Sequence, residues 1–177
     1  MTKTRVPLED FSELDIGRDR DRFLREILRE LTGLLEDVVG REDAEGFISV
    51  IGARMGNRMN EEYRAHLGKE QLSVQEVAAA MVDLKRRING GFSIESIEGD
   101  EIVLINDRCP FGEFVEGRTS LCMMTQNVFG RIAAENRDYA QVRITEAIAR
   151  GDTRCRVVVR FTRTSDALSY DAREYFG

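Results

Sequence analysis

The 177-residue chain has no tryptophan, one histidine, two prolines and three cysteines, and each shortage narrows what it can be. The lone histidine, His66, falls near the end of a helical pattern, where a capping role suits it better than ligation. No stretch approaches membrane-spanning length, and residues Met1 to Asp10 lack the apolar run of a signal peptide. A basic excess is missing as well: the net charge is −6, with Lys and Arg interleaved among Asp and Glu. Without a basic stripe there is no nucleic-acid surface, and any DNA binding would belong to a partner. No nucleophile with a base, paired general acid and base, phosphate loop or nucleotide fingerprint is present, which favours binding over catalysis. These absences predict a cytoplasmic protein with reduced thiols, in which an odd cysteine count is unremarkable.

What remains is enough for one good core, as 42% of the residues are hydrophobic and nothing forces a second domain. Residues 18–90 read as helical. Phe23, Leu24, Ile27, Leu28, Leu31, Leu34, Leu35, Val38 and Val39 recur at three- and four-residue spacing, predicting an amphipathic helix from Asp19 to Val39 that Gly40 ends. A second helix, Asp43 to Leu67, carries Phe47, Ile51, Met55 and Met59 on one stripe, with Gly52 and Gly56 beside it for close backbone packing. Ser73 and Glu76 have capping-box spacing, and Val77, Met81, Leu84 and Ile88 continue a third helix that Asn89-Gly90-Gly91 stops.

The pattern changes over residues 91–162. Phe92 to Ile97 and Glu101 to Ile105 flank the turn Glu98-Gly99-Asp100; a helix runs from Ser120 to Arg137; Gln141 to Ala149 and Arg154 to Thr162 alternate around Arg150-Gly151-Asp152-Thr153. The expected fold is α+β: N-terminal helices packed on a four-stranded, mainly antiparallel sheet of two hairpins joined by a helix. Residues 163–177 are expected to be a tail, docked or partner-facing through Tyr170, Tyr175 and Phe176.

All three cysteines lie at element boundaries: Cys109 before Pro110, Cys122 in the first turn of a helix, Cys155 after a turn. Thiolates gathered at element ends can hold a soft metal or act as a redox centre, while free cysteine is also a common inert core residue. Strand alternation puts Glu146 on an apolar face with Val142, Ile144 and Ile148, near Cys155, where a carboxylate needs a metal or a buried arginine. Cys109, Cys122, Cys155 and Glu146 would satisfy a four-coordinate zinc centre, although their spacing is far from that of a zinc finger. An iron centre is the other metal such ligands allow.

The segments Cys109-Pro110-Phe111-Gly112, Thr119 to Gly130 and Glu146 to Val157 resemble the vinyl-4-reductase superfamily of ligand-sensor domains, and most of all its methanogen output domain branch. The resemblance implies a TRAPP-subunit-like fold, a homodimer formed through the N-terminal helices, and a hydrophobic pocket between sheet and helices. It also implies zinc held by cysteines and a glutamate. Cys122 and Cys155 match two of the family's zinc cysteines; a third falls on Ala147 and the glutamate on Ile144, so Cys109 and Glu146 are assigned as substitutes. Phe111, Met123, Met124 and Phe129 are assigned to the pocket. The expected function is a non-catalytic sensor for a small apolar or tetrapyrrole-like ligand, serving signal transduction or transcription regulation through a protein partner. An accessory of tetrapyrrole reduction and a thiol redox sensor are the alternatives.

Overall fold

In the structure, a computed structural model that describes residues 13–163 and 172–177, three helices precede a mixed second half. They are α1 (Arg20–Val39), α2 (Arg41–Leu67) and α3 (Val74–Arg87). Asp19 caps α1 by accepting from the Arg22 amide, and both arms of the Ser73/Glu76 capping box form on α3. Gly40, at φ +83°, joins α1 to α2 with no intervening loop.

Strands β1 (Phe92–Glu98) and β2 (Glu101–Asn106) form the first hairpin, α4 (Cys122–Arg137) follows, and β3 (Tyr139–Glu146), β4 (Cys155–Arg160) and β5 (Ala172–Phe176) complete the sheet. Its order is β1-β2-β4-β3-β5, antiparallel throughout. The sheet therefore has five strands and not four. The added edge strand lies in the expected tail, with Tyr175 paired opposite Ala140 and its ring pressed on the Cα of Gly130 in α4. Tyr170 lies outside the described residues.

The main core lies between α3, α4 and the inner sheet face, centred on Met81, Phe129, Ile132, Leu104 and Val157, with a smaller cluster of Val115, Leu121 and Ala149 beside it. α2 packs on α4 through a row four residues apart, Ala44, Ile48, Gly52, Gly56 and Asn60. A Cβ on Gly56 would lie 2.9 Å from Arg131 Cβ and 3.0 Å from the Val128 carbonyl oxygen, so backbone contact is the reason for this glycine. The expected stripe of Phe47, Ile51 and Met55 is correspondingly turned outward and exposed. α1 behaves in the same way: its buried residues are Thr32 and Gly33, while Phe23, Leu24, Leu28, Leu31, Leu34 and Val38 face solvent.

Candidate ligand cavity

The three cysteines do converge. They line one small apolar cavity at the end of the core, with room of about 20 Å³ for the centre of a water molecule. Phe92 from β1, Ile144 from β3 and Val157 from β4 contribute from the sheet, and Cys122 and Thr125 from the first turn of α4. The remaining wall comes from residues 109–121, which leave β2 and form two short 3-10 turns, Gly112–Val115 and Thr119–Leu121. Pro110, Phe111, Val115 and Leu121 of that wall reach the cavity.

Local bonds hold the Cys155 end of the cavity. Asn106 closes the floor, its Oδ1 accepting from the Cys155 amide at 3.2 Å and its Nδ2 donating to the Arg108 carbonyl at 3.2 Å. Cys155 Sγ accepts from the Ile148 amide at 3.5 Å. Burial pushes all three thiols above their ordinary range, Cys122 to about 12 with help from neighbouring Cys155 and Cys109. Cys122 stands in the first turn of α4, yet desolvation is the largest influence on it and favours the neutral thiol.

Glu146 does not join them. Pairing shifts register between Ile144 and Glu146, so Ile144 stays opposite Val157 on the inner face while Glu146 falls opposite Arg156 on the outer one. There its carboxylate accepts two bonds from Arg154, at 2.7 and 3.2 Å, and that pairing holds its pKa below the usual range. Among the described residues no three Cys, His, Asp or Glu side chains stand close enough together to hold a metal ion. Glu146, held by Arg154, therefore does not complete the four-ligand set that the resemblance suggested for zinc. Behind two of the lining residues, Thr125 and Phe92, lies a buried lysine.

Of the assigned pocket residues, Phe111 lines the cavity. Phe129 is fully buried behind it, edge-on to Phe92 with ring centroids 5.5 Å apart. Met124 packs on the core beside Gly52, and Met123 lines a separate, polar groove with Arg41 and Arg173.

Lys85 is what the sequence reading missed. It is 4% exposed, and its Nζ donates to Thr125 Oγ1 at 2.7 Å and stands 5.4 Å from the Phe92 centroid and 5.2 Å from that of Phe129. Burial lowers its pKa to about 8, against the opposing pull of the three cysteines. The signal was present: Lys85 continues the Val77–Met81 row of α3 at four-residue spacing.

The cavity wall is also bonded to α1. Arg29 donates to the carbonyls of Phe114 at 2.7 Å and Glu116 at 2.9 Å. Glu36 accepts from Arg118 at 3.0 Å and from the Ser120 hydroxyl, and the Arg118 guanidinium covers Gly33.

Residues 27–160 match the family model described as methanogen output domain 1. Among solved structures the chain is similar to a trafficking protein particle complex subunit 3 from Naegleria fowleri, covalently bound to palmitic acid. The TM-score is 0.56 and the identity 16%, over 81% of this chain and 95% of that one. No curated protein matches the chain.

Proposed function

The chain belongs to the methanogen output domain 1 family, and from that premise we propose that it is a ligand-responsive regulatory module whose thiol-lined cavity is read out through α1. One observation carries this reading: the segment that closes the cavity is the segment hydrogen-bonded to α1. About 20 Å³ admits roughly one water molecule. A tetrapyrrole is far too large for it as it stands, and so is an acyl chain such as the neighbour's palmitate. Any larger occupant must push a wall aside. Sheet and α4 belong to the large core, whereas residues 109–121 are short turns and connections around a small cluster of Val115, Leu121 and Ala149, so the wall yields first. Its displacement pulls on Arg29 and Glu36 and thereby on α1.

What α1 presents is an apolar face continuous with that of α2. Leu31, Leu34 and Val38 are 58%, 61% and 73% exposed, beside Phe47, Val50 and Ile51. Monomers seldom display so much contiguous apolar surface, and a second copy of the same face is the occupant we assign to it. Ligand occupancy and dimer geometry would then be linked. The protonated thiols suit a lining better than nucleophilic attack. Among the described residues no helix is long and apolar enough to cross a membrane.

Hydrogen exchange on the purified chain, with and without benzoate and benzamide, tests the reading. Binding should alter exchange in residues 109–121 and in α1 together. Binding that changes the wall and leaves α1 untouched would overturn the transmission route.

A further inference from the structure

Fully buried lysines are rare unless paired. Lys85 is drawn inside because Val77 and Met81, on its own row of α3, belong to the core. Its ammonium finds the Thr125 hydroxyl and two aromatic faces. Among the described residues it forms no ion pair with a carboxylate. Cation–π attraction offsets only part of the cost of desolvating an ammonium, so the arrangement is incomplete without an anion.

The cavity is where an anion can reach it. Lys85 does not itself line the cavity; Thr125 and Phe92, which do, stand against its Nζ, so the charge lies directly behind that wall. Thr125 Oγ1 accepts from Lys85 and keeps its own proton to donate. The rest of the lining is apolar apart from Asn106, whose side chain is occupied by the Cys155 amide and the Arg108 carbonyl. One cation and one hydroxyl against an apolar wall match a singly charged head on an apolar body, and are too few for a phosphate or a dicarboxylate.

We propose that the cavity, once its wall of residues 109–121 is displaced, takes a small apolar monocarboxylate, its head held by the Thr125 hydroxyl and the Lys85 ammonium behind it and its body lying against Phe92, Phe111 and the cysteines. The inference rests on the reading of the cavity as a ligand site and names the chemical class of that ligand.

Two probe pairs of matched shape test it by calorimetry: benzoate against benzamide, and hexanoate against hexanamide. In the wild type each acid should bind about tenfold to a hundredfold tighter than its amide, the range of a charge-assisted hydrogen bond. Lys85→Met should bind acid and amide alike, with cooperative melting as the check on its fold. Thr125→Val, which leaves the charge in place, should lose a smaller part of the preference, about threefold to tenfold. Acid and amide binding equally to the wild type would overturn the proposal and leave the cavity reading standing. Acid preference that survives in Lys85→Met would overturn it by moving the anion elsewhere. Binding of neither pair would overturn both.

Discussion

The surroundings of Lys85 and the outer face of α1 and α2 break the usual inside–outside pattern in opposite directions. In the first, a full charge is sealed among aromatic rings and thiols; in the second, leucines, valines and phenylalanines stand in water. Neither arrangement is favourable for the isolated chain. Both become so with something added: an anion at the cavity and an apolar surface at the helices. Segment 109–121 touches both regions, and so the two deficits are best read as two ends of one device.

The helical face gives the largest expected effect. Replacing Leu31, 58% exposed at the middle of α1, with Glu places a charge where the face must be desolvated on pairing. Dimer affinity should fall by about a hundredfold or more, corresponding to about 3 kcal/mol. Light scattering of Leu31→Glu should show monomer while the melting profile stays cooperative. An unchanged dimer would remove the second copy from the comparison and leave the exposed face unexplained.

Breaking the interior side should give the opposite sign. Methionine keeps much of the length of lysine without its charge, so Lys85→Met should stabilise the free protein by about 2–3 kcal/mol at pH 7. The gain should also shrink in alkali. The folded pKa of Lys85 is lowered to about 8, below the ordinary value near 10.4. Between those two values the unfolded chain holds a proton that the folded chain has released, so rising pH stabilises the wild type and not the variant. The buried thiols act the other way. Cys122, raised to about 12, keeps its proton in the folded chain after the unfolded chain has lost it, which costs stability above the ordinary thiol range in both proteins. Subtracting the urea-unfolding free energies of the two proteins, at pH 7 and again at pH 9.5, isolates the lysine. A gap that does not narrow would mean that Lys85 is not held at depressed basicity.

The glycine row of α2 sharpens the comparison, because it explains why the apolar stripe faces out. Gly56→Ala drives a Cβ to 3.0 Å from the Val128 carbonyl oxygen, and should cost about 1–3 kcal/mol, lowering Tm by roughly 2–10 °C. Gly46, exposed on the same helix with nothing near its absent Cβ, is the control: Gly46→Ala should stabilise by about 0.5–1 kcal/mol. Equal effects at the two sites would show that helix propensity decides both, and that α2 is not seated by close contact.

Much of this fold is legible in the chain. Helix periods, the Ser73/Glu76 box, the Glu98-Gly99-Asp100 turn and the close-packing glycines all appear as read. Periodicity tells which residues share a face and not which face turns inward. On α2 the glycine row allowed the closer approach to α4, and Phe47, Ile51 and Met55 were left outside. β5 escaped because Ala172-Arg173-Glu174-Tyr175-Phe176 is short and polar; its one strong anchor, Tyr175 over Gly130, is a contact no local pattern reveals. The convergence of three thiols was visible in their placement at element ends. Glu146 was misplaced because alternation was carried straight through Thr145, where the register shifts. Lys85 was missed for a different reason: the row that buries it was recognised, and the one residue on it that does not belong was passed over.

A modest expected change in stability tests the link between the two regions. Glu36 on α1 holds two residues of the segment closing the cavity, Arg118 and Ser120, and it is only 15% exposed. Glu36→Ala removes both bonds and should cost about 1–2 kcal/mol. Neither the acid preference at the cavity nor the dimer should disappear, since Lys85 and Leu31 lie on other surfaces. What should go is their mutual dependence. In the wild type, benzoate should shift the dimer dissociation constant by about fivefold or more, the scale of ordinary coupling energies. In Glu36→Ala that shift should fall toward unity, although Arg29 still grips the Phe114 and Glu116 carbonyls and sets a floor on how completely the regions separate. Retention of the full shift would place the coupling in Arg29 alone, and the double variant with Arg29→Ala would then have to abolish it. If coupling survived even there, cavity and helical face would be two independent properties of the fold.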